Sequence, residues 1–120
     1  MGGTPLVLAT VDPYPRYLTV DAEAAYWTID NGNTVHRVGL DGAGAAVLVT
    51  TDDESGSKGI ASDDRYVYWV LQSSLRRVSK SGGDAVVLAS GLNRPLGVAV
   101  DDRAVYWTDY GNQRVMMLAK

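Results

Sequence analysis

The stretch Gly91-Leu92-Asn93-Arg94-Pro95-Leu96-Gly97-Val98-Ala99-Val100-Asp101, continued by Val105-Tyr106-Trp107-Thr108-Asp109, alternates short apolar runs with turn-forming residues. Residues 96–100 and 105–108 are too short for helices and rich in β-branched and aromatic side chains, so each reads as a strand. Residues 86–89 upstream and 114–118 downstream read the same way. Between them lie 90–95, 101–103 and 110–113, where Gly, Asn, Asp and Pro accept turn dihedrals or hydrogen-bond their own backbone. No stretch has a 3.6-residue apolar period, so the unit is four short strands joined by turns.

That unit occurs three times. Tyr-Trp recurs at 26–27, 68–69 and 106–107, while Leu8, Leu48 and Leu88 lie 40 residues apart, as do Gly2, Gly42 and Gly82, and Val38, Val78 and Leu118. The middle unit has two extra residues in 50–58 and two fewer between Trp69 and Leu75. Length changes confined to turn-like segments mark a structural repeat, because loops tolerate them and strands do not. The first unit matches the third, with Asp21-Ala22-Glu23 and Asp30-Asn31-Gly32-Asn33 as hairpin turns. One repeat domain over 1–120 follows, with units 1–40, 41–80 and 81–120.

The chain has 120 residues, 46% of them hydrophobic and 21% charged, which suits a globular protein. Fourteen acids against eleven bases give a net charge of -3, a poor match to nucleic acid or an anionic membrane. No cysteine is present, which removes disulfide, thiolate and iron–sulfur chemistry. No apolar run approaches the ~18–20 residues that span a bilayer. The beginning has neither the basic nor the hydrophobic region of a signal peptide. Met1 aligns with the repeat boundaries at Asp41 and Ser81, as expected of half a longer repeat protein or of an engineered unit.

Three four-stranded units of 40 residues fit two all-β folds, a complete β-trefoil monomer or part of a β-propeller, which needs typically four to eight blades. The 91–109 stretch resembles the YWTD repeat of six-bladed β-propellers. These are the class B repeats of lipoprotein-receptor ectodomains and related bacterial propellers, close in shape to NHL repeats. Tyr26-Trp27-Thr28 is followed by Ile29 rather than Asp, and Tyr68-Trp69 by Val70-Leu71. The resemblance implies an inter-blade structural role for Tyr26, Trp27, Tyr68, Trp69, Tyr106 and Trp107, and for the motif aspartate, matched here by Asp109 alone. It also implies protein or ligand recognition, often extracellular, periplasmic or at a cell surface.

With A the innermost strand and D the outermost, the chain runs D (residues 5–9), A-B-C, D-A-B-C, D-A-B-C. The last blade then lacks its outer strand, and the first strand has no blade of its own. Three blades make half a ring, so residues 5–9 are expected to complete the last blade of a second chain. The expected assembly is a homodimer closing a six-bladed ring, driven by two open apolar faces and an unpaired edge.

Chemistry is sparse. His36, the single histidine, is expected as a surface residue beside Arg37, without a triad or metal-ligand spacing. Residues 51–57, the most acidic loop, are expected to be flexible and solvated, and they do not match a twelve-residue calcium loop. Propeller topology puts D-to-A and B-to-C loops on one face, which would carry Asp12, Tyr14, Arg16, Asp52, Asp53, Glu54, Lys58, Asn93, Arg94, Tyr110 and Asn112. Tyr14, Arg16, Lys58, Arg94 and Tyr110 are the binding candidates, for a protein or a small anionic ligand. No cofactor and no enzymatic activity are expected. A propeller hydrolase or lactonase would need acids on its A strands, where this chain has Thr19, Ala61 and Ala99 or Leu18, Ile60 and Val98. A carbohydrate-binding trefoil is the further alternative.

Overall fold

Asp21, Asp63 and Asp101 each accept hydrogen bonds from the backbone N–H groups two and three residues on, at 2.8–2.9 Å. One side-chain device therefore turns the first strand of every unit into its second. The computed structural model describes residues 3–11 and 13–120, with eleven strands in three antiparallel sheets. Asp12 lies outside the described residues. The first sheet holds β1 (Pro15–Val20), β2 (Ala24–Ile29), β3 (Thr34–Gly39) and β4 (Ala46–Thr50). The second holds β5 (Ile60–Ser62), β6 (Tyr66–Val70), β7 (Leu75–Ser79) and β8 (Val86–Ala89). The third holds β9 (Pro95–Val100), β10 (Ala104–Asp109) and β11 (Arg114–Ala119).

Strands pair in chain order, so each sheet is a meander. Among the described residues no strand is laddered to a strand of another sheet, which sets aside the trefoil alternative. The pairing shift between Val35 and His36 recurs 40 residues on, between Leu75 and Arg76. The structure thus carries the repeat down to its irregularities.

The sheets stack face to face, and the Tyr-Trp pair explains how. Adjacent strand residues point to opposite faces, so Trp69 looks back at the first sheet while Tyr68 looks forward to the third. Trp69 packs with Tyr26, Val35, Val49 and Val67 in one core. Tyr68 packs with Val70, Leu75, Val105 and Trp107 in the next. The result is an arc, 42 × 29 × 27 Å in extent.

Both ends depart from the expected pattern. The third sheet has three strands among the described residues, not four. Residues 5–9, which align with β4 and β8, form no strand. The reason is connectivity, since the β11 edge to which they correspond lies two sheets away. Leu8, Ala9 and Val11 instead pack on Ala25, Trp27, Ile29 and Val38, the open face of the first sheet. Leu6 and Val7 stay more than 80% exposed.

Candidate functional site

The second and third D-to-A loops each meet the B-to-C turn of the preceding sheet, which places them on one face. Asn31 N–H donates to Ser57 O (3.3 Å), Leu92 N–H to Ser73 O (2.9 Å) and Arg94 N–H to Gln72 O (3.1 Å). The Ser57 hydroxyl, fully buried, lies 3.1 Å from Ile29 O and 2.6 Å from Gly32 O. Thr28 Oγ1 donates to Lys58 O at 2.7 Å, and Gly59 N–H to Leu96 O at 2.9 Å. Side chains and backbone of the loop entries therefore tie the junctions where the first two units lack a motif aspartate.

The acidic loop keeps Asp52, Asp53 and Ser55 exposed, as expected of a solvated segment, but is anchored at its centre. Arg76, largely buried on β7, grips Asp53 with two parallel bonds of 2.8 and 3.0 Å and reaches Glu54 at 3.1 Å. Glu54 also accepts from the Ser73 backbone N–H (2.6 Å) and from the Ser74 hydroxyl. Burial disfavours the Glu54 charge, but the serines and the guanidinium outweigh it and hold the carboxyl below its usual range. Two of the loop's carboxylates are thus engaged by Arg76 and serines, Glu54 largely covered and Asp53 still mostly exposed. Among the described residues no three His, Cys, Asp or Glu side chains cluster.

His36 also differs from its expected surface setting. It is half-buried, stacked on Trp27 at 5.4 Å, with Nε2 2.9 Å from Thr34 Oγ1, and burial lowers its pKa.

Three of the five binding candidates converge. Lys58, Arg94 and Tyr110 line an open cleft of about 490 Å³ with Asn31, Gln72 and Leu96. Arg16 lies outside it and ion-pairs with Asp30 at 3.0 Å, while Tyr14, well exposed, is held through its carbonyl by Asp30 N–H. Asp109 has no exposed surface, because its own partners enclose it: Asn93 N–H (3.0 Å), Asn112 Nδ2 (3.0 Å) and Arg114 (2.9 Å). Asn112 and Arg114 hold its carboxyl below the ordinary range.

The opposite face carries a tie that sequence reading missed. Asp21, Asp63 and Asp101 each also accept from the tyrosine hydroxyl five residues on, at 3.3, 2.6 and 2.8 Å. Lys80 of the second sheet reaches back to Asp21 (2.7 Å), and Lys120 of the third to Asp63 (2.9 Å). The signal was present as Asp-x4-Tyr, three times over, with Lys80 and Lys120 spaced by 40. Burial opposes ionisation of Asp21, yet Lys80 and the turn N–H groups lower its pKa to about 2. Asp63 is shifted further in the same direction by Tyr68 and Lys120, again against burial.

A carboxylate with a depressed folded pKa contributes stability above its unfolded value, near 4, and loses it as pH falls through the folded value. Unfolding free energies from urea titrations should therefore decline slightly below about pH 6.5, as His36 protonates more readily in the unfolded chain, and fall further between about pH 4 and 2, by on the order of 1–2 kcal/mol for each tie. Lys80→Met should shrink that fall. An acid-insensitive midpoint would show that the ties contribute nothing.

No family model and no curated protein matches the chain. Solved structures do. The nidogen/laminin complex aligns at a TM-score of 0.78 and 23% identity, over 88% of this chain and 43% of that one. The H270A virginiamycin B lyase from Staphylococcus aureus with quinupristin aligns at 0.73 and 18%, over 88% and 40%. The computationally designed Ika4 protein aligns at 0.60 and 12%, over 99% of both chains. At these identities the likeness establishes a propeller-type all-β fold, and this chain spans less than half of the first two.

Proposed function

We propose that this chain is a non-enzymatic half-propeller that closes with a second copy into a six-bladed ring and presents its loop face for recognition. The reading rests on the two complementary ends. β11 offers an unpaired edge, and the outer face beside it is apolar, with Ala99, Tyr106, Val115 and Met117. Residues 5–9 keep the sequence of a D strand without a sheet to join. The other two blades predict their register. His36 opposite Val47 and Arg37 opposite Ala46, moved by the 40-residue repeat, put Met116 opposite Val7 and Met117 opposite Leu6 of the partner. Ring closure would bury two apolar faces and one open edge of each chain, on the order of 2,000–5,000 Å² in total.

Light scattering should give twice the 12.9 kDa chain mass. The double variant Leu6→Pro/Val7→Pro removes N–H groups that the exchanged strand needs and that make no backbone bond in the single chain. It should yield folded monomer at 12.9 kDa. A parent chain that stays folded and monomeric at all concentrations would overturn ring closure.

A further inference from the structure

The cleft on the loop face differs in charge from the rest of the molecule. The chain carries -3 overall, yet Lys58 and Arg94 line the cleft with no carboxylate among the lining residues. The two cations are not equivalent. Lys58 is engaged by Asp30 (3.1 Å) and by Asn31 Oδ1 (2.8 Å). Arg94 makes no ion pair and no side-chain hydrogen bond among the described residues. Its guanidinium lies over the Tyr110 ring at 5.2 Å, and the residue is exposed.

The backbone holds it there at a cost. Arg94 has φ +54, in the left-handed region that a residue with a Cβ rarely adopts. Glycine would suit the position better, and strain kept at a binding position is a recognised pattern. Two amide side chains, Asn31 and Gln72, add donors at the rim, and Leu96 and the Tyr110 ring form apolar walls. The fork of an arginine recognises planar two-oxygen anions.

We infer that this cleft binds a carboxylate borne on a flat apolar body, with the carboxylate on Arg94 and the body against Tyr110 and Leu96. This rests on the reading of the loop face as the recognition face. It does not rest on ring closure, because every lining residue belongs to one chain.

The test titrates benzoate against benzamide, and N-acetyl-glycyl-phenylalanine with a free against an amidated C terminus, followed by amide NMR shifts and calorimetry. At least one acid should bind tenfold or more tightly than its amide. Benzoate as the tighter ligand indicates a free small acid, and the peptide a chain terminus. The decisive variant is Arg94→Gly, which relieves the positive φ. It should hold or raise the melting temperature while weakening the acid at least tenfold. Equal binding of acid and amide, unchanged affinity in Arg94→Gly, full competition by inorganic phosphate, or no binding of either acid at ~10 mM, beyond any specific affinity, would each overturn the inference.

Discussion

Trp69→Ala is expected to remove a large part of the chain's stability at 25 °C and to move its urea unfolding to far lower concentration. Trp69 is wholly buried between the first and second sheets, against Tyr26, Val35, Val49 and Val67. Truncating a buried tryptophan costs about 3–5 kcal/mol, since the cavity cannot close around missing ring atoms. That is a large part of the ~5–15 kcal/mol that stabilises a small domain. Trp27, one repeat earlier, offers an internal control. It is nearly as deeply buried, at 7% exposed, but under Leu8, Ala9 and Val11 rather than a full sheet, a cover that can settle into the space left, so Trp27→Ala should cost less, about 2–3 kcal/mol. Urea unfolding followed by circular dichroism makes the comparison, on the Leu6→Pro/Val7→Pro background so that no partner sheet covers Trp27. Equal losses would contradict the view that the N-terminal segment is a weak cover.

Gly59→Ala should destabilise by about 2–4 kcal/mol, in the range of backbone-level steric conflicts. Gly59 N–H donates to Leu96 O at 2.9 Å, the backbone link between the inner strands of the second and third sheets. A Cβ on Gly59 would stand 2.5 Å from that carbonyl oxygen and 3.2 Å from Gly97 Cα. Both neighbours are backbone, so relief requires the sheets to part and the hydrogen bond to break. Gly97→Ala is the contrast, because its nearest neighbour, Thr108 Oγ1, lies at 3.5 Å. Thermal melts should separate the two variants by several degrees. Similar melting temperatures would mean that this junction yields easily.

Both predictions concern packing between sheets, where reading the sequence was weakest. The Tyr-Trp pairs were legible as core aromatics, but the identity of the close-contact glycine was not. Gly59 and Gly97 look alike in sequence, and only the approach of Leu96 O distinguishes them. The anchor of the acidic loop was missed for a related reason. Arg76 sits 22 residues from Glu54, and nothing local indicates that its guanidinium turns onto that loop. Of the candidate site, Lys58, Arg94 and Tyr110 were named from loop topology. Asn31 and Gln72 were not, because an amide in a turn carries no signal of its own.

By itself the sequence determined the three 40-residue units, their strands and turns, and the face on which the loops gather. These follow from side-chain alternation and turn chemistry, which act over a few residues. Tertiary structure alone decided how the sheets touch, which carboxylates are spent on cations, and where residues 5–9 come to rest. Those outcomes depend on which surfaces meet, and a segment with strand sequence but no edge within reach settles on the nearest apolar face.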